Sequence, residues 1–309
     1  MNTNELPMII FTLLGQLSAG AFVVLGVVQV IASRRYGKHA LEVVTDPALY
    51  AIGPALVLGL AASTFHMHDV SNTLNVFRHV GSSWLSNEII FGIGFAGLGF
   101  LFAASQWFKW GSARLRQALA ALTAVVGLGL VYAMSMIYYS LPTVPAWNTW
   151  ATPAQFFTTS LLLGTLAVGA AFTATVMWRR RSAPKADIVL ADTPATEVLS
   201  GCLRGIGLSA IVLLGVEFII IPLHISNLSA AGGVAAESAA VFSGMWFISR
   251  LVLVFLGAGL LALFLFTSAS GRANPRTLAV LTTAAFALVL AGEFIGRTQF
   301  YESMIRIGM

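Results

Sequence analysis

Repeated long apolar runs limit this chain to one kind of architecture. The stretch from Leu251 to Phe266, for example, carries no charged side chain. A helix needs about 20 predominantly apolar residues to cross the hydrocarbon core. Backbone N–H and C=O groups find no partner in hydrocarbon, so such runs must be helical. The reading is an all-α polytopic membrane protein, a single integral membrane domain over 1–309. It predicts eight transmembrane helices at about 8–31, 46–66, 88–108, 117–140, 156–178, 200–222, 243–268 and 277–297. The fold is read as two four-helix halves, while by position along the chain the polar linker falls after the fifth span. The first five spans occupy 8–178, a polar cytoplasmic linker 179–199, and the last three spans 200–297. Composition agrees: 58% of residues are hydrophobic and 9% charged, against about 25% charged in a soluble domain.

The basic residues sort by side. Arg34, Arg35, Lys38, Lys109, Arg114, Arg116, Arg179, Arg180, Arg181, Lys185, Arg272 and Arg276 are 12 of the 17 Lys and Arg, and all fall on one side of the predicted spans. Arg78, Arg297 and Arg306 fall opposite, and Arg204 and Arg250 within spans. The positive-inside rule then sends both termini outward, to the periplasm. The net charge of +5 orients loops and is no nucleic-acid footprint. Trp84, Trp147, Trp150 and Trp246 are expected at the outer interface, and Trp107, Trp110 and Trp178 at the inner one, as an aromatic belt requires. The single Cys202 excludes an internal disulfide and a self-contained iron–sulfur cluster, which takes about four thiolates. The start, Met1 to Pro7, lacks the basic n-region of a cleavable signal peptide.

Ionisable side chains at membrane depth mark where chemistry is expected, because each costs at least a few kcal/mol there. His66 ends the second span and Glu88 begins the third. Glu217 lies about five residues, roughly 8 Å at helical rise, from the outer end of the sixth. Arg250 falls in the seventh, and Glu293 and Arg297 close the eighth. All collect in the outer half. Structural roles compete for each. Glu88 after Ser86 and Asn87 also suits a helix N-terminus. Glu293 and Arg297 are spaced as an i,i+4 pair. Arg250 is read first as the counter-ion of Glu217 or Glu293. His68, His79 and His224 are read as solvated interfacial residues.

A quinol-oxidising site would use such a set. Histidine titrates near neutrality, a carboxylate relays protons to water, and an apolar slot takes the isoprenoid tail. Leu74, Phe77 and Val80 recur at three-residue intervals, suggesting a short interfacial helix within 70–86 that covers the slot. The stiff loop Pro142 to Trp150 either docks a partner or anchors at the headgroups. Haem b needs paired histidines inside spans. The five histidines, His39, His66, His68, His79 and His224, are all outside mid-span, so no haem is expected. No zinc-spaced Cys/His set or Walker-type loop is present.

Several pieces carry a family resemblance. They are Pro7 to Thr12 with Gly15-Gln16, His66, Gly81-Ser82-Ser83-Trp84-Leu85-Ser86-Asn87-Glu88-Ile89, Thr143-Val144-Pro145-Ala146-Trp147, Pro153 with Phe156-Phe157, and Gly292-Glu293-Phe294-Ile295-Gly296-Arg297 with Phe300-Tyr301. On these the protein resembles the dimethyl sulfoxide reductase anchor subunit family along its whole length. The resemblance implies a three-part complex in the bacterial inner membrane, with its partners on the periplasmic side. A molybdopterin subunit reduces the substrate, and a ferredoxin-like iron–sulfur subunit conducts electrons. The anchor draws on the quinone pool and oxidises menaquinol at the outer face. It also implies that His66 belongs to the quinol site with Glu88 beside it. Arg78, Glu217, Arg250, Glu293 and Arg297 are further candidates for quinol binding or charge relay. The sequence departs from the family after His66, reading Met67-His68-Asp69-Val70 rather than Leu-Gly-x-Pro, with Asn72 in place of an arginine. Three alternatives stay open: a polysulfide-reductase-type quinone-reactive anchor, a purely structural anchor, and a secondary transporter using the outer-half charges as its site.

Overall fold

The structure is a computed structural model and describes residues 5–36, 38–64, 77–182, 194–269 and 275–308. Among these residues every regular element is a helix. In sequence order they are α1 (Leu6–Tyr36), α2 (Lys38–Thr64), α3 (Trp84–Trp107), α4 (Ala113–Tyr139), α5 (Ala151–Ser182), α6 (Pro194–Ala231), α7 (Gly233–Ala240), α8 (Gly244–Ala269) and α9 (Pro275–Glu302). Seven of the described helices, α1, α3, α4, α5, α6, α8 and α9, are long and apolar enough to cross a membrane. The predicted second span falls on α2, whose described apolar stretch is the shorter Ala48–Gly59.

Helix α5 organises the bundle. It packs against α1, α2, α4, α6 and α9, and its apolar stretch is the most enclosed of the seven. The α1–α5 crossing is built on small residues. A Cβ on Gly20 would overlap the Ser160 carbonyl group, and one on Gly164 would stand 2.7 Å from Gly20 Cα. Ser160 Oγ donates across this contact to the Gln16 carbonyl oxygen at 2.8 Å. Close backbone approach is how helices gain dispersion energy in lipid, where the hydrophobic effect between them is absent. Helices α3 and α8 instead turn apolar side chains outward: Phe100, Phe255 and Phe266 are 74%, 68% and 72% exposed, as a lipid-facing surface requires.

Several predicted boundaries move, each for a physical reason. Helix α6 does not stop at Pro222 but carries it inside and runs to Ala231. Proline is tolerated within membrane helices because its surroundings re-satisfy the freed backbone groups. Glu217 is therefore mid-helix, in an apolar stretch spanning Gly201–Ala231, rather than near an outer end. Helix α9 likewise continues past Arg297 to Glu302, because the guanidinium is buried among other helices. Helix α3 starts at Trp84, with Ser83 as its N-cap accepting from the Ser86 N–H. Glu88 thus sits in the second turn, and the cap role belongs to Ser83. Residues 70–76 of the loop read as an interfacial helix lie outside the described residues; 77–79 form a single exposed 3₁₀ turn.

Candidate functional site

The connections place the start of α1, the end of α4, the 140–150 loop, the start of α5 and the end of α9 at one end of the bundle. Polar side chains from these segments form two buried layers there.

The outer layer centres on a pair of tyrosines. The hydroxyl oxygens of Tyr138 on α4 and Tyr301 on α9 are 2.9 Å apart. Tyr138 also packs edge-on against Trp147, Phe300 and Tyr301. Trp147 Nε1 donates to the Phe300 carbonyl oxygen at 2.8 Å, and the Ile307 N–H donates to the Thr143 carbonyl oxygen at 2.9 Å. The Pro142–Trp150 loop is thus plugged into the protein and tied to the segment after α9. Trp147, expected at the headgroups, is 5% exposed; its indole N–H has found a protein partner rather than an interfacial one. Glu88 is buried nearby, within electrostatic reach of both tyrosines. It meets no hydrogen-bond or ion-pair partner among the described residues.

Arg297 lies below the tyrosines. Its Nη2 donates to Gln16 Oε1 on α1 at 2.8 Å, and its guanidinium stands 4.0 Å over the Phe156 ring on α5. A cation on an aromatic face is worth ~2 kcal/mol when desolvated. The i,i+4 spacing with Glu293 therefore does not define its contacts.

The deeper layer is an ion cluster drawn from four helices. Arg250 Nη2 on α8 donates to Glu217 Oε1 on α6 at 2.8 Å and lies 3.5 Å from Glu293 Oε1 on α9. Thr159 Oγ1 on α5 donates to Glu293 Oε2 at 2.6 Å. The expected counter-ion role of Arg250 is correct, and it serves both carboxylates at once. Gly296 makes this possible: a Cβ there would lie 2.5 Å from Arg250 Nε. The Gly292-Glu293-Phe294-Ile295-Gly296-Arg297 piece is thus a slot that seats the guanidinium of α8 against α9.

Other candidates fall elsewhere. Arg78 is exposed in the turn before α3. His66, and His68 with it, lie outside the described residues. His224, expected to be solvated, is buried at 5% exposure. Its Nδ1 is 3.4 Å from Thr149 Oγ1, and its ring packs edge-on against Phe242; the continuation of α6 past Pro222 carried it inward. Sequence reasoning also missed Tyr138, Thr159 and the contact role of Gln16. For Gln16 a signal existed: an amide inside an apolar span must find a partner. For Tyr138, near a helix end, nothing local distinguishes it from an ordinary interfacial aromatic. Among the described residues no three His, Cys, Asp or Glu side chains converge as a metal site.

Comparison with known proteins agrees along the whole sequence. The family model for the DMSO reductase anchor subunit (DmsC) matches residues 1–302. The C subunit of the anaerobic dimethyl sulfoxide reductase of Escherichia coli (strain K12) is 31% identical over 313 residues, spanning 99% of this protein and 97% of that one. The YnfH subunit of an anaerobic dimethyl sulfoxide reductase from the same strain is 27% identical over 309 residues, with 99% and 97% covered. The corresponding C subunit from Haemophilus influenzae is 30% identical over 173 residues, 53% of this protein and 58% of that one.

Proposed function

The protein belongs to the DMSO reductase anchor subunit family, a family of multi-pass membrane anchors in an oxidoreductase complex, and from that premise we propose that it oxidises menaquinol at the periplasmic side of the bacterial inner membrane. Menaquinol gives up two electrons and two protons. The electrons pass to the nearest cluster of a ferredoxin-like iron–sulfur subunit and on to a molybdopterin subunit that reduces dimethyl sulfoxide or a similar acceptor. The protons leave on the outer side. His66 accepts the hydroxyl proton and Glu88 relays it to water, each through the ordinary acid–base chemistry of its side chain.

The observation that carries this reading is Glu88. A buried carboxylate is normally paired or hydrogen-bonded. Glu88 has neither kind of partner among the described residues, although the nearby tyrosines and Arg297 are engaged with others. That leaves it open to proton transfer, which supports this reading. The secondary-transporter reading loses its support with the family.

The test uses the assembled complex and a menaquinol analogue. His66→Ala and Glu88→Gln are each expected to lower quinol oxidation by about 10²-fold or more, while the complex assembles and a soluble electron donor still drives substrate reduction. Turnover that matches the unaltered complex in both variants would overturn the assignment.

Orientation has its own test. In the proposed topology α2 supplies the eighth crossing and both termini face the periplasm. A periplasm-dependent reporter fused after Met309 is then expected to be active, and the same reporter fused after Arg181 inactive. The reverse pattern would invert the topology.

A further inference from the structure

In the deeper layer two carboxylates share one close cation. Glu217 and Glu293 face a single guanidinium, at 2.8 Å and 3.5 Å from Arg250 Nη2. All three residues are at most 5% exposed. The next cation, Arg297, is engaged with Gln16 and the Phe156 ring, and a buried carboxylate without a close partner of its own is costly. Both carboxylates approach the same Nη2 atom, so they crowd each other. Two buried like charges held that close favour a proton on one of them.

The surroundings are unsaturated in a way that a plain structural ion pair is not. Glu217 Oε2 and Glu293 Oε1 are buried without a hydrogen-bond partner among the described residues, and so is Arg250 Nε. The same holds for Arg297 Nε and Gln16 Nε2, on side chains joined to each other beside the cluster. Acceptors and donors left open at one depth are ordinarily met by internal water. The groups facing the cluster are few. Helix α6 adds His224, two turns beyond Glu217 and within electrostatic reach of Arg250. Helix α9 adds Arg297. Helix α5 offers only the neutral Thr159, and α1 the neutral Gln16. On α7, Glu237 is exposed, and Asp46 of α2 is held by Lys109 and Gln106.

We propose that Glu217 and Glu293, held on Arg250, form an internal proton-binding site served by buried water. One proton arrives from water, binds a carboxylate oxygen and takes the three-residue group from one net negative charge to neutrality. Release returns the proton to water, and no electron moves. The site stands on its own geometry. Its use in buffering a proton from quinol rests on the quinol-oxidising reading.

Infrared difference spectroscopy of the purified complex in lipid, stepped in pH in H2O and in D2O, tests this. The carbonyl stretch of a protonated buried carboxyl group is expected, and it is expected to shift down in D2O. It is expected to vanish in Glu217→Gln or Glu293→Gln and to persist in Glu88→Gln. Absence of the band, or its loss in Glu88→Gln alone, would overturn the proposal. Where a glutamine variant does not assemble, Thr159→Val removes the donor to Glu293 Oε2 without changing charge. It is expected to move the band, and an unmoved band also overturns the site. Failure of the His66 test leaves this result untouched, so the two readings are separable.

Discussion

The Gly20→Ala variant is expected to be lost from the membrane fraction, or to melt far below the unaltered protein. The added methyl group has no room. Its Cβ would lie 2.6 Å from the Ser160 carbonyl carbon and overlap that group's oxygen. Both are backbone atoms in the middle of α5, so no rotamer change relieves the contact. The helices must separate instead. Overpacking in a tight core costs about 1–3 kcal/mol when side chains can adjust, and this site is expected at or above the upper end. Gly164→Ala attacks the same crossing from the other side and is expected to behave alike. Separation has consequences at the site. Ser160 Oγ holds the Gln16 carbonyl oxygen, and the Gln16 side chain holds Arg297. Gly53→Ala, Gly205→Ala and Gly215→Ala are the controls, since nothing lies within 4 Å of a Cβ at any of them. There, alanine is expected to be neutral or to stabilise by up to about 1 kcal/mol through helix propensity. Membrane-integrated yield and a thermal melt in mild detergent read all five. A Gly20→Ala melt equal to that of Gly53→Ala would show that the crossing is loose.

Much of this architecture was legible because lipid imposes a simple code. Length and hydropathy located the helices that become α1, α3 to α6, α8 and α9. The code fails where a polar residue is satisfied by a partner far away in sequence. Arg297 looked like a membrane edge, with Glu293 one turn earlier as its local partner. Its partners are Gln16, 281 positions away, and the Phe156 ring. Pro222 looked like a helix end by the rule for water-soluble helices, and so His224 was set in solvent. Trp147 matched an interfacial anchor in composition, yet its N–H bonds the Phe300 carbonyl, 153 positions away. At the site, the pairing of Arg250 was legible because a buried cation must have an anion. That one cation serves two carboxylates was not, since this depends on how closely α8 approaches α9. The cue in hindsight is Gly296, a glycine one residue before a charge in an apolar span.

Arg250→Ala is expected to be the most damaging single side-chain removal in the deeper layer. It leaves Glu217 and Glu293 buried, close together and without a cation. Removing one partner of a buried ion pair costs about 3–5 kcal/mol, because the remaining charge is uncompensated. Two carboxylates lose their partner here, so the loss is expected at the top of that range. It should be read as thermal stability and as the amount of anchor recovered with its partner subunits. Neutralising what is left should reverse much of it: Glu217→Gln with Glu293→Gln, placed in the Arg250→Ala background, is expected to regain most of the lost stability. Gly296→Ala probes the same contact from α9. Its Cβ would fall 2.7 Å from Arg250 Nη2, at the far end of a flexible side chain, so the guanidinium swings away rather than the helices parting. The expected cost is smaller, about 1–3 kcal/mol. It is also coupled. In an Arg250→Ala background the space is already empty, so adding Gly296→Ala should cost almost nothing further. Contacting residues commonly show interaction energies of about 0.5–3 kcal/mol in such cycles. Additive losses from the two changes would mean that Gly296 serves helix packing alone and does not seat the guanidinium.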